Sequence, residues 1–201
     1  MLLLFKFMHH IYTTKSIIIK SVSVGEANKI YFLLTEDLGF IKATAQGVRL
    51  GKSKLKGHLC DFSISNISVV KGRNTWRITN AETLSQGKFI GNINKLFVLK
   101  NIFSLLLRLL HGEEKNTELF LTVESFYNFI LINEFNTDEL KDIEIVVVLR
   151  ILYYLGYFKN NEQFSVFLKD TALSFELLNE MKNFRKMAIK EINNSLKETH
   201  L

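Results

Sequence analysis

Lys42, Arg49, Lys52, Lys54 and Lys56 fall between Asp37 and Asp61, a stretch that contains no acidic residue of its own. Five cations without a neighbouring carboxylate call for an anionic partner, and their spacing indicates its shape. If residues 52–56 are extended, the strand period of two places Lys52, Lys54 and Lys56 on one side, where their ammonium groups can follow a phosphate backbone. The same stretch, KATAQGVRLGKSKLKG, nearly spells a nucleotide-hydrolase phosphate loop through Gly47, Gly51, Lys52 and Ser53. Four residues must separate the two glycines for successive N–H groups to wrap the phosphates. The position that would need glycine is Gln46, and Lys54 to Gly57 read as loop where such a motif opens a long helix. The charges therefore point to a basic nucleic-acid contact and away from ATP hydrolysis.

Other chemistry is hard to assemble. His9 and His10 precede the first strand, His58 ends the basic stretch, and His111 and His200 sit at helix ends, with no H-x-x-x-H or H-E-x-x-H pairing. The single cysteine, Cys60, excludes an internal disulfide and a cysteine zinc site, reads as a small buried residue entering a strand, and fits a reducing cytoplasm. Ser53 and Ser85 lack a nucleophile elbow, and Glu113-Glu114 read as a solvated turn. The expectation is a protein without catalytic residues, metal or cofactor.

The basic stretch must be positioned by what flanks it. Tyr12 to Val24 is β-branched and partly alternating; NKIYFLLT, FIKATAQG, DFSISNISVV and TWRITNAETL follow, separated by turn signals and with no helix among them. A change of phase near Ser65-Asn66 suggests a bulge. Five short strands favour a small closed barrel over a sandwich, and an OB-fold is the economical choice. Nucleic acid then lies across strands two and three and against the loops joining strands one to two and four to five, which adds Lys71 and Arg73 to the candidate DNA contacts. Tyr31, opposite an Ile30/Phe32/Leu34 face, is either a platform for a stacked base or cover for a second domain, while Trp76 reads as core.

Near Leu84 the period changes. Residues 92–111, 117–133, 138–155, a short piece near 162–168, and 174–197 read as helices, the last with a stripe of Phe175, Leu178, Met181, Phe184, Ala188, Ile192 and Leu196. Such Phe-rich stripes serve either as core or as a groove for a partner peptide. The fold class is thus α+β, with a barrel at residues 1–84, of which 1–8 are either an upstream start or a frayed extension, and an all-α domain at 85–201. Residues 1–84 hold 12 Lys+Arg against 5 Asp+Glu, a net +7, and residues 85–201 hold 14 against 15, a net −1. That asymmetry separates a polyanion-binding module from a near-neutral remainder. Arg108 and Arg150 interrupt the most apolar segments, and MLLLFKF is too short for a signal peptide.

Along the chain run His10-Ile11-Tyr12-Thr13-Thr14 leading into IIIKS, Gly25-Glu26-Ala27-Asn28, Leu34-Thr35-Glu36 with Gly39, Ala45-Gln46-Gly47-Val48-Arg49, and Lys52-Ser53-Lys54-Leu55-Lys56-Gly57. Further on come LLLRLL, Glu114, Asn116, Glu118-Leu119-Phe120, and Arg150 through Tyr157. In this order they resemble the bacterial recombination mediator family RecO. Gln46 stands where the family's KGAR-like box carries lysine, and Lys159 to Phe167 lack the four-cysteine zinc site of many members, so the chain is similar to the zinc-free branch. The resemblance implies an N-terminal OB-fold and a helical domain, binding of single- and double-stranded DNA, annealing of complementary strands, and help in placing RecA on SSB-coated DNA together with RecR. Two other functions use the same features: an OB-type RNA-binding module, and an interaction adaptor acting through the helices.

Overall fold

The computed structural model describes residues 10–73, 75–87, 92–159 and 162–198; the expected extension at residues 1–8, and His9, Asn74 and His200, lie outside them. Contacts divide the chain into two units, Met1–Gln86 with Gly112–Lys115, and Gly87–His111 with Asn116–Leu201.

In the first unit β1 (Ile11–Val24), β2 (Asn28–Thr35), β3 (Gly39–Ala45), β4 (Ser63–Lys71) and β5 (Trp76–Gln86) close a barrel in the order β1-β2-β3-β5-β4. Every pairing is antiparallel except β3 with β5, which meet in parallel at Ala43 opposite Trp76 and Thr44 opposite Arg77. This is an OB-fold. The length of β1 closes it: Ser16 to Val24 pair with β2 while Ile11 to Ile18 pair with β4. A register shift between Ile18 and Lys20 lets the strand bend where it changes partner. Ile17, Ile18 and Ile19 are all buried there, which explains three apolar residues in succession in a strand. The phase change expected near Ser65-Asn66 is a register shift against β5 between Ile64 and Ser65, with another between Ser68 and Val69. Ile18, Leu33, Ile41, Ile67, Val69 and Ile78 fill the interior, and Trp76 joins them.

The second unit contains α1 (Ile93–Leu109), α2 (Thr117–Ile132), α3 (Thr137–Tyr154), α4 (Ser165–Leu168) and α5 (Phe175–Glu198). The asparagine before each of the first three accepts from a backbone amide of the first turn: Asn92 from Lys95, Asn116 from Leu119, and Asn136 from Asp138 and Glu139. At α3 the Glu139 side chain returns the bond to the amide of Asn136, completing a capping box. α3 is central and apolar on several sides because α1, α2 and α5 all pack on it. Two buried polar residues fix it. Arg150 donates to the carbonyls of Phe167, Thr171 and Ala172, and burial lowers its pKa to about 10. Asp142, fully buried, takes both Nε and Nη2 of Arg185 from α5. The α5 stripe is core at Leu178, Met181, Ala188 and Ile192, but Phe175 is 45% exposed, since it opens the helix and packs on Phe129 and Phe135 at the unit's edge. Among the described residues no helix is long and apolar enough to cross a membrane.

Candidate nucleic-acid interface

The basic stretch joins β3 to β4. It is not extended: the amides of Leu50, Ser53 and His58 donate to the carbonyls of Gly47, Leu50 and Leu55, so the chain advances by successive tight turns. The side chains alternate all the same. Val48 and Leu59 reach the barrel core and Leu55 packs against it, while Lys52, Lys54 and Lys56 are exposed. Apolar residues that must cover the barrel end thus do what strand geometry was expected to do. Both ends are tied down. The Gly47 amide donates to Asn28 Oδ1 at 2.8 Å and the Arg49 amide to the carbonyl of Ala27, while His58 Nδ1 lies 3.2 Å from Thr83 Oγ1. The amides of Gly47, Arg49, Leu50 and Ser53, within the near-match to a phosphate loop, are thus bonded internally.

The candidate residues do not act alike. No ion pair involves Lys42, Lys52, Lys54 or Lys56 among the described residues, and all four are exposed. Lys42 lies over the ring of Phe32, 5.4 Å from its centroid. Arg49 Nη1 donates to the Gly25 carbonyl at 2.7 Å, placing this exposed guanidinium beside the β1–β2 turn. Arg73 is exposed in the β4–β5 turn. Lys71 is already engaged, its Nζ 2.6 Å from Glu113 Oε2. Glu113 is exposed, as expected of a turn residue, yet it is engaged, because it also accepts from Trp76 Nε1 at 2.8 Å. The Lys71 hydrogen bond is the main cause that lowers its carboxyl pKa, with Trp76 adding to it.

Tyr31 is a correction. It is 1% exposed, within the barrel core, and cannot receive a stacked base. Both faces of β2 carry apolar residues, so alternation alone leaves the inward face ambiguous; pairing settles it, with Tyr31 opposite Ala43 and Leu33 opposite Ile41 on the inside. Burial first, then the nearby Asp61 and Cys60, push its phenol up to about 12. The aromatic on the other face is Phe32, half-buried, 6.4 Å from Phe40 and covered by Lys42. Sequence reading also missed a cleft of about 250 Å³ lined by Thr44, Gln46, Lys71, Thr75, Trp76 and Arg77. Its signal is the parallel β3–β5 pairing, which only the closed barrel creates. Cys60 is half-buried in the turn before β4, and among the described residues no cluster of His, Cys, Asp or Glu could hold a metal ion.

Residues 8–86 match the model described as Recombination protein O N terminal. The barrel strands thus match a RecO N-terminal domain. Relatives named DNA repair protein RecO extend the similarity. That of Trichodesmium erythraeum is 29% identical over 143 residues, covering 71% of this chain and 50% of the relative. That of Gloeothece citriformis is 32% identical over 114 residues, covering 56% and 40%. One from Dehalococcoides mccartyi is 43% identical over 75 residues, covering 37% and 30%. The chain thus spans half or less of the length of these relatives.

Proposed function

We propose that the protein acts in DNA repair and recombination as a mediator without catalytic chemistry. Its barrel holds the backbones of single- and double-stranded DNA, anneals complementary strands, and works with RecR to help RecA onto SSB-coated DNA in the cytoplasm. The relatives' names supply the repair role; the partners are those the family resemblance implies. One observation carries the DNA contact: a segment pinned to the barrel by Val48, Leu55 and Leu59 presents Lys52, Lys54 and Lys56 to solvent with no ion-pair partner among the described residues, and Arg49 lies beside the β1–β2 turn.

Arg49, Lys52, Lys54 and Lys56 each neutralise about one phosphate, which for single strands corresponds to a log–log salt slope of about −3 from the four, or roughly a 50-fold loss of affinity between about 50 and 200 mM salt. Replacing all four by alanine should flatten the measured slope by that amount for every sequence, since backbone contacts carry no base information. An unchanged slope removes this segment as the site. Tighter binding of RNA than of DNA of equal length would redirect the function to RNA.

A further inference from the structure

Lys71 and Trp76 flank the β4–β5 turn, and their donors converge on a single carboxylate. Lys71 Nζ reaches Glu113 Oε2 at 2.6 Å, Trp76 Nε1 reaches Oε1 at 2.8 Å, and the ammonium lies 5.1 Å from the centroid of the indole. Trp76 is 5% exposed, and a buried indole N–H needs an acceptor. A charged donor beside a buried neutral one is a receptor for two oxygens sharing a negative charge, and a phosphodiester offers the same pair as a carboxylate. Here the chain supplies the oxygens itself.

Only a side chain must move to vacate them. The main chain of the segment is seated, since a Cβ on Gly39 would overlap the carbonyl oxygen of Glu114, and Lys115 Nζ holds Asp37 Oδ1 at 2.9 Å. The Lys71 and Glu113 side chains are 56% and 43% exposed, and pairs so exposed contribute little because water and salt screen them. A phosphate arriving at the same donors brings counterion release with it. Beside them the cleft lined by Thr44, Gln46, Thr75 and Arg77 leaves room for the attached nucleotide. We propose that Lys71 and Trp76 form a phosphate cradle that Glu113 fills in the free protein, and that a DNA backbone phosphate replaces the Glu113 carboxylate on binding. This rests on the DNA-binding function above and adds to it a built-in competitor, so that DNA reaches this end of the barrel only by exchange.

The test uses the full chain and an unstructured single-stranded DNA oligonucleotide. Glu113→Gln keeps a carbonyl oxygen for the indole while removing the charge, and should tighten binding roughly 2- to 5-fold at low salt, fading as salt rises. Adding Lys71→Gln should abolish that gain, and Glu114→Gln, an equal change of net charge, should not reproduce it. Trp76 is the only tryptophan, so its emission reports the exchange directly and should change when DNA binds the parent. No tightening in Glu113→Gln, or a gain that survives Lys71→Gln, overturns the cradle while leaving the alanine salt slope to judge the basic segment. A parent that binds no DNA overturns both.

Discussion

Tyr31 and Phe32 are neighbours on β2, and the barrel sends them to opposite faces with opposite consequences. Inside, the Tyr31 phenol stays neutral to about pH 12, whereas in the unfolded chain it ionises near 10. Between those values the unfolded state has released a proton that the folded state keeps, so this group makes stability fall as pH rises. Tyr31→Phe should remove part of the alkaline loss, seen as a smaller decline of denaturation midpoint from pH 10 to about 12 than in the parent; equal declines would show that Tyr31 is not buried as described. Outside, Phe32 lies under Lys42, where a base could stack beside a cation. Phe32→Ala should cost about 1 to 3 kcal/mol in single-strand affinity if one base uses it, measured by titration beside a folding control. That the sequence left Tyr31 on the outer face, as platform or as cover, has a physical reason: Ile30, Phe32 and Leu34 are as apolar as Tyr31 and Leu33, and only the pairing with β3 decides which set is enclosed.

At the scale of elements, local rules made the strands and helices readable and left long-range contacts hidden. Asn92, Asn116 and Asn136 each cap a helix within a few residues of where periodicity begins, because capping is settled by neighbours in sequence. The two bonds of Glu113 stayed hidden because its partners, Lys71 and Trp76, are 42 and 37 residues away. Two turn glycines separate local from distant causes. Gly25, at φ 59, has open space around its missing Cβ, while Gly39, at φ 68, faces the backbone of Glu114. Gly25→Ala should therefore cost about 1 kcal/mol, the penalty of a left-handed conformation. Gly39→Ala adds a steric clash and should cost about 2 to 4 kcal/mol. Chemical denaturation of both variants checks the difference, and equal losses would mean that the Glu114 segment does not seat on Gly39. The segment between β3 and β4 shows the same division: its lysine alternation was legible, but the turns that produce it depend on Val48, Leu55 and Leu59 reaching a core built by other strands.

For the whole molecule, charge is distributed by unit. With Gly112–Lys115 counted in the barrel unit, 13 Lys+Arg against 7 Asp+Glu leave +6 there, and 13 against 13 leave the helical unit neutral. Two complementary strands repel each other through their phosphates. A basic surface that holds both raises their local concentration and lowers the barrier to encounter, and base pairing then supplies the specificity without nucleotide hydrolysis. Annealing of complementary oligonucleotides by the full chain should therefore proceed without ATP, survive chelators, and slow as salt rises. Alanine at Arg49, Lys52, Lys54 and Lys56 should slow it far more than alanine at Lys182 and Lys186, exposed cations of the neutral unit's α5. Rates read by a fluorescent pair on the two strands, across a salt series, decide the matter. If the variant stripped of its four barrel cations anneals as fast as the parent, the basic segment does not gather the strands and annealing belongs to another surface.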